Sequence, residues 1–208
     1  MPHWYADGTF DTAPKLFKQL FTLNVIVKGK NLPMLYALLQ NKQEKTYEEL
    51  FLKIFEFIET CPKSVMCDFE KAIHNAMKRV AKDKFQIELI IQGCYFHLIS
   101  NLWKHVQSNG LTDLFSDSKE FRHLFRLLKA LAFLPPQHVV YGFTKIKSIS
   151  MTEFLPILNY FEEYYIGILC IEDCFKITTF CDSFRLARIK NIFCEKISNV
   201  WYRGLERV

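Results

Sequence analysis

KSVMCDFEKAIHNAMKRVA, Lys63–Ala81, is the stretch on which the fold turns. Lys63–Cys67 is short and apolar, with Pro62 before it and Asp68 after it, which reads as a buried strand. From Glu70 to Ala81 the period changes. Ala72, Ile73, Ala76, Met77 and Val80 recur at spacings that put them on one helix face. A strand that hands over to an amphipathic helix, with an acid at the junction, belongs to an α/β chain.

On the N-terminal side, three apolar runs precede this unit: His3–Ala6, Leu16–Lys28 and Pro33–Leu39. Their short connections, including the turn-like Lys28-Gly29-Lys30-Asn31, predict an antiparallel meander. Thr46 is a candidate helix cap, with Glu48 and Glu49 near the positive end of the dipole. Leu50, Ile54, Phe57 and Ile58 then predict a helix that Pro62 stops. On the C-terminal side, Phe85–Ile91 (FQIELII) predicts another strand, and helix-like sequence follows with a break at Pro135-Pro136. A meander followed by alternating strands and helices gives a mixed sheet with flanking helices. This order is similar to that of a ribonuclease H-like fold.

Composition narrows the class. Of 208 residues, 50% are hydrophobic and 24% charged, which excludes a disordered chain. No run approaches the roughly 20 apolar residues of a spanning helix, and MPHWYADGTF lacks the basic start and apolar stretch of a secretory signal. No membrane partner is expected. Seven cysteines, an odd count without a signal, point to reduced thiols in the cytosol or nucleus, most of them buried small hydrophobes. Charge is uneven. Residues 117–150 hold six Lys/Arg against two Asp/Glu, residues 151–184 one against six, and residues 185–208 six against two. Two basic stretches suit a polyanion such as DNA, or are ordinary solvated helix faces. Phosphate-loop, dinucleotide-binding and nucleophile-elbow motifs are absent.

Two aspartates stand out by position. Asp7 follows the first run (ADGTF) and Asp68 follows the later strand (VMCDFE). If those strands are neighbours, their ends bring two carboxylates together, a costly arrangement that a hard divalent cation resolves. The alternatives are an Asp-Gly turn at Asp7 and a helix cap at Asp68.

The stretch Trp4–Leu23, with Asp7-Gly8-Thr9-Phe10 and the later Pro14 and Gln19, resembles the opening of the Mutator-like (MULE) transposase domain. Cys67-Asp68-Phe69-Glu70 with Ala72 resembles that family's DFE-x-A block, and Gly93-Cys94-Tyr95-Phe96-His97 its G-C-x-F-H block. Leu131-Ala132-Phe133-Leu134-Pro135, Asn159-Tyr160-Phe161-Glu162 and Tyr165-Ile166-Gly167 are similar to later blocks, in family order. The resemblance implies a ribonuclease H-like α/β fold: a mixed sheet with flanking helices and a mostly helical insertion. Residues 1–100 would form the first part of the core, 101–182 the insertion, and 183–208 a C-terminal helix closing the core.

The resemblance further implies a DDE-type enzyme that cuts and joins DNA with Mg²⁺ or Mn²⁺ held by two aspartates and a glutamate. Asp7 and Asp68 carry over as the first two acids. The third is Glu195, although Arg188-Ile189-Lys190-Asn191 departs from the family's R-T-N-N and Cys194 takes the place where the acid is expected. Cys94 and His97, spaced i, i+3, could offer two ligands to zinc, or are a buried thiol and a hydrogen-bonded histidine. The expected function is transposon-end cleavage and strand transfer in the nucleus, with a homo-oligomer possible. The alternative is a catalytically inactive, transposon-derived DNA-binding or interaction module. The chain begins close to Asp7 and ends soon after Glu195, which fits a fragment, a decayed copy or a domesticated remnant.

Overall fold

A computed structural model describes residues 3–167, which divide into two compact units, one spanning residues 3–92 and the other residues 93–167. The first unit contains β1 (Trp4–Thr9), β2 (Gln19–Val27), β3 (Lys30–Leu39), α1 (Glu44–Glu56), β4 (Ser64–Cys67) and α2 (Lys71–Phe85). β5 (Ile90–Gly93) ends this unit and completes a five-stranded sheet of order β3-β2-β1-β4-β5. β2 runs antiparallel to β1 and β3, and β1 runs parallel to β4, so the sheet is mixed.

The meander follows from local chemistry. In β2, Gln19, Phe21, Leu23 and Val25 are buried while Leu20, Thr22, Asn24 and Ile26 are half-buried, the alternation of a strand with one covered face. Val27 pairs with Lys30 across a two-residue loop in which Lys28 (φ 51°) and Gly29 (φ 74°) both take positive φ. That is the geometry whose twist matches an antiparallel hairpin, and Gly29 adopts it without steric cost. β3 is an edge strand, where Pro33 lacks only a donor that a central strand would need.

α1 and α2 cover one face of the sheet. Trp4, Ala6, Phe21, Leu23, Val25, Val65 and Cys67 pack with Tyr47, Phe51, Phe55, Ile73, Ala76, Met77 and Val80 in a single cluster. Ring centroids lie 5.9 Å apart for Trp4–Phe55, 6.0 Å for Phe21–Phe51 and 5.3 Å for Phe55–Phe85, in tilted or edge-on pairs. Burial raises the half-buried Cys61 thiol to about 11, so it stays protonated at neutral pH.

Three local expectations are corrected. The buried face of α1 is Tyr47, Phe51 and Phe55, whereas Phe57 is 80% exposed and Leu50, Ile54 and Ile58 are half-buried. Thr46 lies inside α1 and does not cap it. Asn41 Oδ1 instead accepts from Gln43 N (2.9 Å) and Thr46 Oγ1 (2.7 Å) at the helix entrance. Phe85 closes α2 because its ring packs on Phe55. The helix ends one residue later, at the left-handed Gln86 (φ 55°), so the last strand begins at Ile90.

Beyond β5 the described residues are helical: α3 (Tyr95–Ser108), α4 (Thr112–Asp117), α5 (Lys119–Ala130), α6 (Pro136–Ile149) and α7 (Leu155–Phe161). α6 starts at Pro136, as the Pro-Pro break predicts, with proline in the first helical turn. α7 continues into a π-helical turn, Glu162–Ile166, that ends at Gly167 (φ 83°). Aromatic pairs join these helices, among them Phe121–Phe154 (4.9 Å), Phe143–Phe161 (5.8 Å) and His105–Tyr160 (4.2 Å).

Candidate metal centre

β1 extends through the first aspartate, so Asp7 is a strand residue rather than part of a turn. The parallel ladder pairs Trp4 with Val65 and Tyr5 with Met66. Carried on by two residues, past the end of β4 at Cys67, that register would bring Asp68 level with Asp7 on β1. The alternation is consistent. Trp4, Ala6, Val65 and Cys67 point into the core under α1 and α2, so the positions in phase with Asp7 and Asp68 belong to the opposite face. Both aspartates are half-buried.

Each carboxylate is oriented by its own backbone. Asp7 Oδ1 accepts from Gly8 N at 2.9 Å, and Asp68 Oδ1 accepts from Phe69 N at 2.6 Å. Thr22, the antiparallel partner of Asp7, donates its hydroxyl to the Asp7 carbonyl at 3.3 Å. His74 Nε2 donates to the Asp68 carbonyl at 2.6 Å, and burial holds this imidazole below its ordinary value, which favours the neutral donor. Asp68 is not a helix cap. Glu70 occupies the N-cap of α2, and no side chain caps that helix.

A buried polar relay flanks the pair. Gln19 is 1% exposed and donates Nε2 to the Tyr47 hydroxyl at 2.7 Å. Tyr47 donates to Glu70 Oε1 at 3.2 Å, and Lys42 Nζ binds Glu70 Oε2 at 3.0 Å. Lys42 also lies 4.1 Å from the centre of the Phe10 ring. At the other end, a Cβ on Gly8 would come within 2.3 Å of Gln19 Oε1, so only glycine leaves Gln19 its place beside the residue that follows Asp7. Burial first, then the negative charges of Glu70 and Asp68, raise the Tyr47 phenol above its ordinary value against the hydrogen bond from Gln19. The relay thus joins the residue after Asp7 to the acid two positions after Asp68. A polar Gln19 in phase with Phe21, Leu23 and Val25 is the one sequence signal that could have disclosed it.

Two level carboxylates are a donor set that Mg²⁺ accepts, with waters and substrate phosphate oxygens completing its octahedron. Among the described residues, no group of three or more His, Cys, Asp and Glu side chains comes together as a metal site. Glu195, the third expected acid, lies outside the described residues, as do Cys170, Cys174, Cys181 and Cys194. Cys94 is the N-cap of α3 and His97 stands one turn in. A closed zinc site needs four ligands, and the described residues add no further ligand to these two.

Asp7 on β1 and Asp68 just after β4 both lie in the part of the chain that a family comparison matches. Residues 3–101 match the family model of the MULE transposase domain. The matched residues hold residues 3–92, both aspartates, the relay, Cys94 and His97. The blocks at Leu131–Pro135, Asn159–Glu162 and Tyr165–Gly167 lie beyond the match. No curated protein matches the chain. A MULE transposase domain points to a transposase-related function and, in general terms, to DNA binding. Among the described residues, no helix is long and apolar enough to cross a membrane.

Proposed function

We propose that this chain is the catalytic domain of a MULE-type transposase, acting on DNA at transposon ends in the nucleus. Asp7 and Asp68 hold a divalent cation, Mg²⁺ or Mn²⁺, with Glu195 as the third acid. The observation that carries this reading is the parallel pairing of Trp4 with Val65 and Tyr5 with Met66, two residues ahead of Asp7 and Asp68 and inside the matched residues. A bound cation of this kind supplies charge stabilisation to phosphorus-bound oxygens and lowers the pKa of attacking water. The chain contributes placement. The Gly8 and Phe69 amides orient the two carboxylates, and the Gln19–Tyr47–Glu70 relay braces the residues beside them. Asp7 on β1 and Asp68 just after β4 are both half-buried, a setting suited to holding acids in place for a phosphate substrate.

The test is thermal stability with Mg²⁺ or Mn²⁺ titrated in, on the wild type and on Asp7→Asn/Asp68→Asn. A ligand that binds only the folded state adds about 2.7 kcal/mol at a hundredfold excess over Kd. A rise in Tm in the wild type that disappears in the double variant is the expected result. No rise in either protein, or an equal rise in both, overturns the reading and leaves an inactive DNA-binding or interaction module.

A further inference from the structure

We propose that the outward stripe of α5, formed by Lys119, Arg122, Arg126 and Lys129, is a surface for the phosphate backbone of double-stranded DNA. The inference rests on DNA as the partner in the proposed function and adds where the chain grips it. The four cations are spaced three, four and three residues apart. At about 100° per residue they fall within an arc of about 80°. Phe121, Leu124, Phe125 and Leu128 fill the buried face, and Glu120, the helix's one acid, lies off the stripe.

Among the described residues, no carboxylate pairs with the charge on this stripe. Among the described residues, Lys42, Lys53, Arg79 and Lys147 each meet a carboxylate, whereas none of the four α5 cations does. α2 carries five cations, of which Arg79 is bound by Glu44 and Glu48. On α5 the like charges crowd one another. Burial, and then the neighbouring Arg126, hold the Lys129 ammonium below its ordinary value. Arg122 is fixed by donating to the Phe115 carbonyl at 2.9 Å and to the Ser116 carbonyl, both at the end of α4. Lys129 lies 5.2 Å from the centre of the Phe125 ring.

Geometry and chemistry favour a polyphosphate. Ten residues of helix span about 15 Å, and a duplex presents one phosphate charge per roughly 1.7 Å of axis, so a row of phosphates lies within reach. A protein partner would call for apolar anchors at the centre of the contact. No large apolar side chain of α5 is exposed. Phosphate contacts need only Lys and Arg, which is what this face offers.

The experiment is fluorescence anisotropy of the whole chain on a labelled 20-bp duplex of mixed sequence, over a range of KCl concentrations. Lys119→Gln/Arg126→Gln/Lys129→Gln removes three charges and spares Arg122, which holds α4. Lys28→Gln/Lys30→Gln/Lys45→Gln removes three exposed charges elsewhere. The stripe variant is expected to lose about tenfold or more in affinity, and its log–log salt slope to fall by about 2.7, at roughly 0.9 per phosphate contact. The control variant is expected to bind within about twofold of wild type. Equal losses in the two variants, or none in the stripe variant, overturn the proposal. So does poly-glutamate competing as well as duplex DNA at equal charge. Failure of the wild type to bind even at low salt also overturns it, while the Mg²⁺ titration separately decides the metal reading. If the triple variant melts early, Arg126→Gln alone carries the test, with an expected slope change of about 0.9.

Discussion

In residues 3–92, Arg79 is tied to Glu44 and Glu48, Lys42 to Glu70 and Lys53 to Glu56, and a buried relay of Gln19, Tyr47 and Glu70 runs beside the two aspartates. In residues 93–167, cohesion comes from ring pairs such as Phe121–Phe154 and Phe143–Phe161, and the cations of α5 stand without carboxylates. The sheet unit spends its polar groups on one another, which fixes geometry. In the helical unit Lys147 pairs with Glu162, whereas among the described residues no carboxylate meets the α5 cations. On the proposed function, positioning and attraction would fall to different residues in different units, and substitutions can separate them.

The largest expected effect tests the packing that supports the sheet unit. Phe51 is fully buried between Phe21 and Phe55. Phe51→Ala should destabilise the protein by about 3–5 kcal/mol in urea unfolding, the usual cost of an aromatic cavity. A loss below 1 kcal/mol would contradict that packing.

Next comes the relay. Tyr47→Phe leaves buried Gln19 without its acceptor and Glu70 without one donor, at an expected cost of about 1–3 kcal/mol. The same variant changes the alkaline limb. The folded Tyr47 phenol is raised above the unfolded value, so its contribution is fully present below pH about 10 and is lost as pH climbs toward the folded value. Tyr47→Phe should therefore lose less stability above pH 10 than wild type in a pH series of melts. Tyr5, raised in the same direction by burial, retains its own share.

Smaller still is the exposed network around Arg79, whose side chain is 59% exposed. Arg79→Ala should cost no more than about 1 kcal/mol, and less at high salt. Smallest is Lys129→Gln, which removes a half-buried charge crowded by Arg126. Its Tm should stay level or rise slightly. Because the folded ammonium is depressed, the wild-type penalty fades as pH rises toward 10.5, and the gap between the two proteins should close there. A clear loss of stability in Lys129→Gln would mean that the stripe is structural.

The sequence makes the strand–acid–helix unit at Lys63–Ala81 legible because each part is local: a short apolar run, then a polar junction, then period 3.6. The buried face of α1 was not. Leu50, Ile54, Phe57 and Ile58 share one helical spacing, while Tyr47, Phe51 and Phe55 share another. Trp4 and Phe21, distant in sequence, select the aromatic one. The end of α2 was misread for a related reason, since Gln86 takes a left-handed conformation that glycine or asparagine would have signalled. Asp7 and Asp68 were legible as candidates from their places near strand ends. Their level placement depends on a parallel pairing between residues about 60 positions apart, which no local pattern encodes. The relay is likewise hidden, because Gln19, Tyr47 and Glu70 lie on three separate elements.

The two amide bonds at Asp7 and Asp68 also bear on the order in which the site forms. Each spans one residue, from a carboxylate to the next N–H, so it closes on the timescale of local chain motion. The β1–β4 pairing closes a loop of some 60 residues and is a high-contact-order event. Aim therefore comes early and spacing late. A folding intermediate with an intact hairpin but undocked β4 would carry both acids correctly turned and still be unable to chelate. Metal affinity, on the proposed function, would then report that long-range pairing.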